Sequence, residues 1–193
     1  MKPALFLDRD GTVCREVGYV NHPERLELLP RSAEAILLAR EAGFLCILIT
    51  NQSGVARGYF PESRIHETHA RLVQMLDREG TCLDGLYYCP HHPQAGEPPY
   101  RRDCDCRKPR PGMIRQAIRD LHVEMTESLV IGDKMSDVET GHAVDIPGIL
   151  VRTGYGRGEE EYDRSRWSTQ PDYIADDLHG AVKWAVVRRG GTP

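Results

Sequence analysis

Short, continuous apolar runs alternate with helix-like segments along this 193-residue chain, and that alternation limits the fold more than any other feature. The runs lie at residues 4–7, 44–49, 86–88, 129–131 and 148–151. Strands that are apolar on both faces are typical of parallel sheets covered by helices on both sides. The pattern therefore predicts an α/β, Rossmann-like three-layer fold with a mostly parallel central sheet.

Helices are predicted between the strands, at residues 32–42, 61–79, 112–121, 136–143 and 178–188. Ser32 is expected to cap the first of these helices, and Gly43 is expected to end it. The chain has no internal repeat and no linker composition. Its length suits a single domain over residues 1–193.

Composition excludes several classes of function. The formal net charge of -4 gives no basic surface for nucleic acid. No apolar run approaches the roughly 20 residues that cross a bilayer, and the apolar start before Asp8 is too short for a signal peptide. We therefore expect a cytoplasmic protein that binds neither nucleic acid nor membrane, and we expect it to be a monomer.

Two carboxylates, Asp8 and Asp10, directly follow the first predicted strand, and Gly11 comes next. A carboxylate at a strand end can attack phosphorus and form a mixed anhydride, which splits hydrolysis into two easier steps. Asp10 can protonate the leaving oxygen and then activate the water that cleaves the intermediate. Gly11 allows the chain to turn sharply away from the strand. Taken alone, this string also fits an Asx-turn or a calcium loop.

A third carboxylate, Asp133, follows the predicted strand at residues 129–131. At the carboxyl edge of a parallel sheet it is expected to lie beside Asp8 and Asp10. Three such charges and a substrate phosphate would repel one another, and Mg²⁺ suits a few carboxylates plus phosphate oxygen. The sequence therefore predicts a magnesium site at Asp8, Asp10 and Asp133. Asp137 is a weaker candidate, since it fits an acid at a helix N-terminus equally well.

Donors for a phosphate are predicted at two further places. Those after the second strand are Thr50, Asn51, Gln52 and Ser53, whose hydroxyl, amide and backbone N–H groups are typical of a phosphate cradle. Arg107 and Lys108 precede a predicted helix N-terminus, itself an anion site, and can stabilise charge as a bond breaks. Lys134 adjoins the predicted metal ligand Asp133. Each group alone also fits an ordinary polar turn or a solvated basic pair.

Residues 89–110 are polar and proline-rich, with neither helical nor strand periodicity. So long a stretch within a domain needs its own source of order. The candidate ligands that flank it are Cys89, His91, Cys104 and Cys106, with His92 as the alternative to His91. Three thiolates and one imidazole fit a closed tetrahedral zinc site. Since no position is left for water, we expect a structural zinc that orders the loop.

Together these motifs resemble the haloacid dehalogenase superfamily, in its phosphatase branch. The segments that carry the resemblance are residues 6–12, 18–20, 50–54, 89–93, 104–109 and 132–134. Within the superfamily the chain is most similar to the D-glycero-D-manno-heptose 1,7-bisphosphate phosphatase family, over residues 4–155. That family lacks a large cap domain, which implies that the segment after Asp10 and the zinc loop wall the site instead.

The resemblance implies a role for each candidate residue. Asp8 is the nucleophile, Asp10 is the general acid and base, and Mg²⁺ is held by Asp8, Asp133 and the main chain of Arg9. The residues that stabilise the phosphoryl group are Thr50, Arg107 and Lys108. The residues expected to bind the substrate are Arg9, Glu16, Val17, Gly18, Tyr19, Asn51, Gln52, Ser53 and Lys134.

The substrate implied by the resemblance is the heptose bisphosphate. It would lose its C7 phosphate and leave heptose 1-phosphate for nucleotide-activated heptose synthesis, which feeds lipopolysaccharide or other surface glycans.

Histidinol-phosphate phosphatases share the motifs and the zinc loop, but their loop tends to be shorter than the twelve residues between His91 and Cys104 here. A second hypothesis, outside the enzymes, is an inactive zinc-dependent binding module. The complete set of catalytic positions argues against it. Arg101 and Arg102 fit either a second phosphate or the protein surface.

Overall fold

The computed structural model describes residues 1–191, and in them six strands form one parallel sheet. The strands are β1 (Pro3–Leu7), β2 (Leu45–Asn51), β3 (Gly85–Cys89), β4 (Glu124–Gly132), β5 (Gly148–Val151) and β6 (Tyr173–Ala175). Their order across the sheet is β3-β2-β1-β4-β5-β6, and every neighbouring pair is parallel. The predicted α/β class with its parallel sheet is confirmed.

Helices cover both faces of this sheet. They are α1 (Ser32–Glu41), α2 (Ser63–Arg78), α3 (Gly112–Leu121), α4 (Met135–His142), the single turn α5 (Gly156–Gly158) and α6 (Leu178–Arg188). Successive side chains of a strand point to opposite faces, and β1 is buried throughout. Leu5 and Leu7 pack in the core formed with α1 and α6, whereas Phe6 packs in the core formed with α3. The three-layer arrangement follows from this alternation.

Two local expectations differ from the structure. Ser32 was expected to cap α1, but that expectation is wrong, because Arg31 is the N-cap residue in a left-handed conformation (φ 63°) and the Ser32 hydroxyl donates back to the Leu29 carbonyl. Strand β2 continues to Asn51, so Thr50 lies inside the strand rather than after it. Gly43, at φ 86°, follows the end of α1 as expected.

The strand order reverses at the centre of the sheet. The chain moves outward from β1 to β2 and β3, then returns to β4 on the other side of β1 and continues to β5 and β6. In parallel sheets such a reversal opens a crevice at the carboxyl ends of the two central strands. The motifs that follow β1 and β4 therefore meet there. Across residues 1–191, every helix is too short or too polar to cross a membrane.

Candidate active site and metal centres

A cavity of about 390 Å³ opens at this crevice. Most of the predicted site residues form its wall. The segment after β1 supplies Asp8, Asp10, Glu16, Gly18 and Tyr19. The end of β2 and the following turn supply Thr50, Asn51, Gln52 and Ser53, and later loops supply Arg107, Lys108 and Lys134. Motifs that are far apart in the sequence thus share one cavity.

Arg9 and Val17 lie outside the cavity wall, contrary to expectation. The Arg9 side chain is only 1% exposed, and its guanidinium is paired with Asp10 and Gln52. Val17 is half-buried and packs against the main core. Position next to a site residue in the sequence therefore does not by itself place a side chain on the cavity wall.

Three residues that the sequence did not single out also line the cavity: Arg57, Ser136 and Tyr155. The Tyr155 ring lies under the Lys134 ammonium, 4.2 Å from the ring centroid. Arg57 is an exposed residue at the rim, and its guanidinium lies 3.1 Å from His92 Nε2 in the zinc loop. Ser136 lies two residues after Lys134, and this proximity to a motif is the sequence feature that indicates it as a site residue. Arg57 and Tyr155 belong to no motif, and only the fold brings them here.

Lys108 is the buried cation of the site. Its Nζ contacts Asp8 Oδ1 at 2.5 Å and Asp137 Oδ1 at 2.6 Å, and it donates to the Ile49 carbonyl at 2.9 Å. Burial lowers the pKa of Lys108, but Asp137 and Asp8 outweigh burial and hold that pKa above its ordinary value. Burial also raises the pKa of Asp8 to about 6, although Lys108 opposes the shift. The ammonium is therefore fixed beside the proposed nucleophile in its charged form.

Asn51 sets the position of the Lys108 main chain. The Lys108 N–H donates to Asn51 Oδ1 at 3.1 Å, and Asn51 Nδ2 donates to the Lys108 carbonyl at 3.2 Å. This two-point contact joins the end of β2 to the loop before α3. Asn51 thus has a structural role in addition to its place on the cavity wall.

The residues at the carboxyl edge fit a hard divalent cation. Asp8, Asp133 and Asp137 each present an oxygen within 4.8 Å of the other two. Asp133 is fully buried; its Oδ2 accepts from the Tyr155 N–H at 2.8 Å, while its Oδ1 has no hydrogen-bond partner. Burial, reinforced by Asp8 and Asp137, raises the pKa of Asp133 to about 8. Such an orphaned carboxylate oxygen is costly unless a cation contacts it.

Asp10 differs from its prediction as a side-chain metal ligand. Its carboxylate lies outside the group formed by Asp8, Asp133 and Asp137. It is turned instead toward Arg9 and Gln52, both of which donate hydrogen bonds to it. Asp137, the weaker candidate in the sequence, takes its place in the group because α4 begins just after β4 and returns its first turn toward the site.

The predicted zinc ligands also lie together. Cys89 Sγ lies 3.5 Å from Cys104 Sγ and 3.7 Å from His91 Nδ1, and Cys106 Sγ lies 3.3 Å from Cys104 Sγ and 3.4 Å from His91 Nδ1. A tetrahedral zinc with Zn–S bonds of about 2.3 Å places its sulfurs ~3.8 Å apart. The four side chains therefore fit zinc with little adjustment.

His92 takes no part in this cluster. Its Nδ1 accepts from the backbone N–H groups of Gln94 and Ala95, which leaves His91 as the imidazole of the group. Arg101 forms an ion pair with Glu97, and neither Arg101 nor Arg102 lines the cavity. A role for these two arginines at a second phosphate therefore has no support in the structure.

The zinc loop is connected directly to the cavity. Arg107 follows the candidate ligand Cys106 and donates from its guanidinium to the carbonyl of the candidate ligand His91 at 3.1 Å. Gly96 of the same loop lies so close to Ala56 that an added Cβ would overlap the Ala56 carbonyl. The loop thus rests on the turn after β2, and it carries the residues that form one wall of the cavity.

Known proteins are similar to this chain over most of its length. A family model described as "HAD-hyrolase-like" matches residues 105–181. The D-glycero-D-manno-heptose-1,7-bisphosphate 7-phosphatase of Chlorobaculum tepidum is 45% identical over 92% of this chain and 91% of its own. The D-glycero-beta-D-manno-heptose-1,7-bisphosphate 7-phosphatase of Escherichia coli K12 is 39% identical over 86% of this chain and 87% of its own.

A solved structure agrees with these relatives. The D,D-heptose 1,7-bisphosphate phosphatase from B. bronchiseptica, complexed with magnesium and phosphate, superposes with a TM-score of 0.83. It is 30% identical, over 97% of this chain and 99% of that one. The chain therefore belongs to the heptose 1,7-bisphosphate phosphatase family of HAD-like hydrolases and is a phosphoric monoester hydrolase.

Proposed function

We propose that this phosphatase removes the C7 phosphate of D-glycero-D-manno-heptose 1,7-bisphosphate through an aspartyl-phosphate on Asp8, with Mg²⁺ as its cofactor. The observation that carries the mechanism is the placement of Asp8 at the end of β1, in contact with Lys108 and grouped with Asp133. The identity of the substrate is supported by the names of relatives that match most of the chain.

In the first half-reaction, an Asp8 carboxylate oxygen bonds to phosphorus while the bond from phosphorus to the C7 oxygen breaks. Asp10 gives its proton to that oxygen, and heptose 1-phosphate leaves. Lys108 and Arg107 neutralise charge on the phosphoryl oxygens, and Thr50 donates from its hydroxyl. Asp8 and Asp133 would hold Mg²⁺, which would supply further charge neutralisation and polarise the phosphoryl group.

In the second half-reaction, Asp10 takes a proton from a water molecule. The water oxygen bonds to phosphorus as the bond between phosphorus and Asp8 breaks, which releases inorganic phosphate and restores the Asp8 carboxylate. Asp10 thus serves first as acid and then as base, as a single residue does in two-step hydrolyses. It lines the cavity next to Asp8, which suits both roles.

The direct test is a phosphate-release screen over sugar bisphosphates that includes both anomers of heptose 1,7-bisphosphate, with histidinol phosphate alongside. We expect the highest kcat/KM on a heptose bisphosphate. A preference for histidinol phosphate would reject the proposed substrate but keep the mechanism. A protein that hydrolyses no phosphate ester would support the binding-module hypothesis.

Arg57 is expected to contribute to substrate affinity rather than to chemistry. It is an exposed residue of the cavity wall, and a second phosphate of the substrate would lie away from Asp8. Arg57→Met is expected to raise KM for the bisphosphate about 10-fold, the value of one charge-assisted hydrogen bond, with little change in kcat. Steady-state kinetics measure this, and Arg101→Met, at an exposed arginine outside the wall, serves as the matched control.

Gly11 is expected to be essential for the metal site. Its φ is 87°, and an added Cβ would overlap Asp133 Oδ2. Gly11→Ala should therefore displace the Asp133 carboxylate, and activity should require a higher Mg²⁺ concentration or disappear. Gly58→Ala is the matched control, because Gly58 also has a positive φ (72°) but open space around its Cα. Turnover of both variants is measured against Mg²⁺ concentration. Backbone strain should affect Gly11→Ala and Gly58→Ala alike, whereas loss of the metal site should affect only Gly11→Ala.

A further inference from the structure

We infer that Arg9 and Gln52 are positioning residues that fix the orientation of the Asp10 carboxylate for proton transfer to the leaving oxygen. The inference rests on the proposed function, since it requires Asp10 to be the general acid and base. It gives a purpose to a buried arginine that contacts no substrate.

The three side chains form a closed ring of hydrogen bonds. Arg9 Nε donates to Asp10 Oδ1 at 3.0 Å, and Arg9 NH2 donates to Asp10 Oδ2 at 2.7 Å. The same NH2 donates to Gln52 Oε1 at 3.0 Å, and Gln52 Nε2 donates to Asp10 Oδ2 at 3.0 Å. Both carboxylate oxygens are held, so the ring fixes the plane of the carboxylate as well as its position.

The ring is anchored through Thr50 on β2 and through the buried Arg9, which follows β1. Gln52 Nε2 also donates to the Thr50 hydroxyl at 2.9 Å, which joins the ring to β2. Arg9 is among the largest side chains that are fully buried, at 1% exposure, whereas the Asp10 side chain keeps 13% exposure. The anchoring groups therefore lie behind Asp10, and the carboxylate retains an open side on the cavity.

Burying a guanidinium costs free energy that one ion pair repays only when the geometry is good. The fork of Arg9 matches the carboxylate at both oxygens, a geometry that lysine cannot reproduce. A carboxylate misplaced by about 1 Å or turned out of plane loses much of its value as a proton donor. The two-point ion pair with Asp10 and the hydrogen bond to Gln52 offset the burial of Arg9, and the fork adds a fixed orientation of the Asp10 carboxylate.

Proton donation matters most when the leaving group is a poor one. An alkoxide such as the C7 oxygen of heptose needs the proton as its bond to phosphorus breaks, whereas p-nitrophenolate is a stable anion and needs it far less. A variant that disorients Asp10 should lose kcat/KM selectively on the sugar phosphate, because kcat/KM reports formation of the aspartyl-phosphate, whereas hydrolysis of that intermediate is common to both substrates. A variant that merely weakens the fold should lose turnover equally on both substrates.

The experiment compares heptose 1,7-bisphosphate with p-nitrophenyl phosphate in two variants. Gln52→Glu keeps the acceptor for Arg9 but places an oxygen against Asp10 Oδ2, and Arg9→Lys keeps the charge but loses the fork. We expect kcat/KM on the bisphosphate to fall at least about 30-fold and kcat/KM on p-nitrophenyl phosphate to fall less than ~3-fold, since general acid catalysis contributes about 10²–10⁴-fold. Asn51→Ala, which disturbs Lys108 instead of Asp10, should lower both rates by a similar factor.

Asp10→Asn serves as the reference. If Asp10→Asn loses the bisphosphate selectively while the Arg9 and Gln52 variants lose both substrates equally, the positioning role is refuted and the proposed function stands. If Asp10→Asn itself shows no selective loss, Asp10 is not the acid, and the proposed function fails at that point. A crystal structure of Gln52→Glu gives a second measurement: a rotated Asp10 carboxylate supports the inference, and an unchanged one overturns it.

Discussion

Asp8→Asn is expected to lower kcat by at least about 10⁴-fold, the loss typical when the nucleophile of an enzyme is removed. The amide has nearly the same shape, so it can occupy the same place at the end of β1. It cannot form the mixed anhydride, and it presents a poorer ligand to a cation. Turnover of both heptose 1,7-bisphosphate and a generic phosphate ester, measured by phosphate release, should disappear together.

The folded state should survive this change. Asp8 is 8% exposed, and burial opposes its ionised form, so loss of the charge removes repulsion from Asp137 and Asp10 as well as attraction to Lys108. We expect the Tm of the metal-free variant to remain within a few degrees of the wild type. Asp77→Asn, at an exposed residue on α2, should leave turnover unchanged. Wild-type turnover in Asp8→Asn would exclude an aspartyl-phosphate at this residue.

Cys106→Ser is expected to abolish zinc binding and to lower kcat about 10²-fold or more, as happens when one group that stabilises transition-state charge is misplaced. Cys106 contributes to the cluster and directly precedes Arg107 and Lys108. Loss of the metal would release the carbonyl of His91, to which Arg107 donates, and would allow the loop to leave the turn at Ala56. Zinc content by elemental analysis and turnover should fall together.

Cys82→Ser provides the control, because Cys82 is exposed and lies outside the cluster. It should retain zinc and activity. Removal of zinc from the wild-type protein with a chelator should give the same loss of turnover as Cys106→Ser. Re-addition of zinc should restore turnover when magnesium is also present. A zinc-free variant with full turnover would show that Arg107 and Lys108 are placed without the metal.

Sequence patterns predict those strands whose own side chains are apolar throughout. Residues 4–7 and 148–151 are wholly apolar except for one glycine, and both lie in strands that have a neighbour on each side in the sheet. Strand β4 was predicted only at residues 129–131, because its first half, at Glu124 and Glu127, is polar. That half is held by backbone pairing with the start of the chain, where the Glu124 N–H donates to the Lys2 carbonyl. Pairing of this kind leaves no pattern in the side chains.

The same holds for the site: residues in short motifs are predictable, and contacts between distant segments are not. The sequence predicts where Asp8, Asp133 and the candidate zinc ligands lie, because each occurs in a short motif at a strand end or in a metal-ligand pair. The direction of Arg9 depends on its partner Gln52, 43 positions away. The pairing of Lys108 with Asp137 likewise depends on how α4 and the loop before α3 pack. Contacts between distant segments are the part of the site that only tertiary structure reveals.

The reversal of strand order next to β1 has a consequence for how this enzyme could change over evolution. The carboxylates sit at the ends of β1 and β4, where the core fixes the backbone. Glu16, Arg57 and Arg107 lie instead on three separate connections, whose backbones are not part of the sheet. Insertions or exchanges in the connection that carries Glu16 can reshape the entrance while the carboxylates keep their places, whereas the connections that carry Arg57 and Arg107 rest on each other and would have to change together. Selectivity among phosphate esters should therefore be transferable by grafting loops, with the hydrolytic chemistry inherited intact.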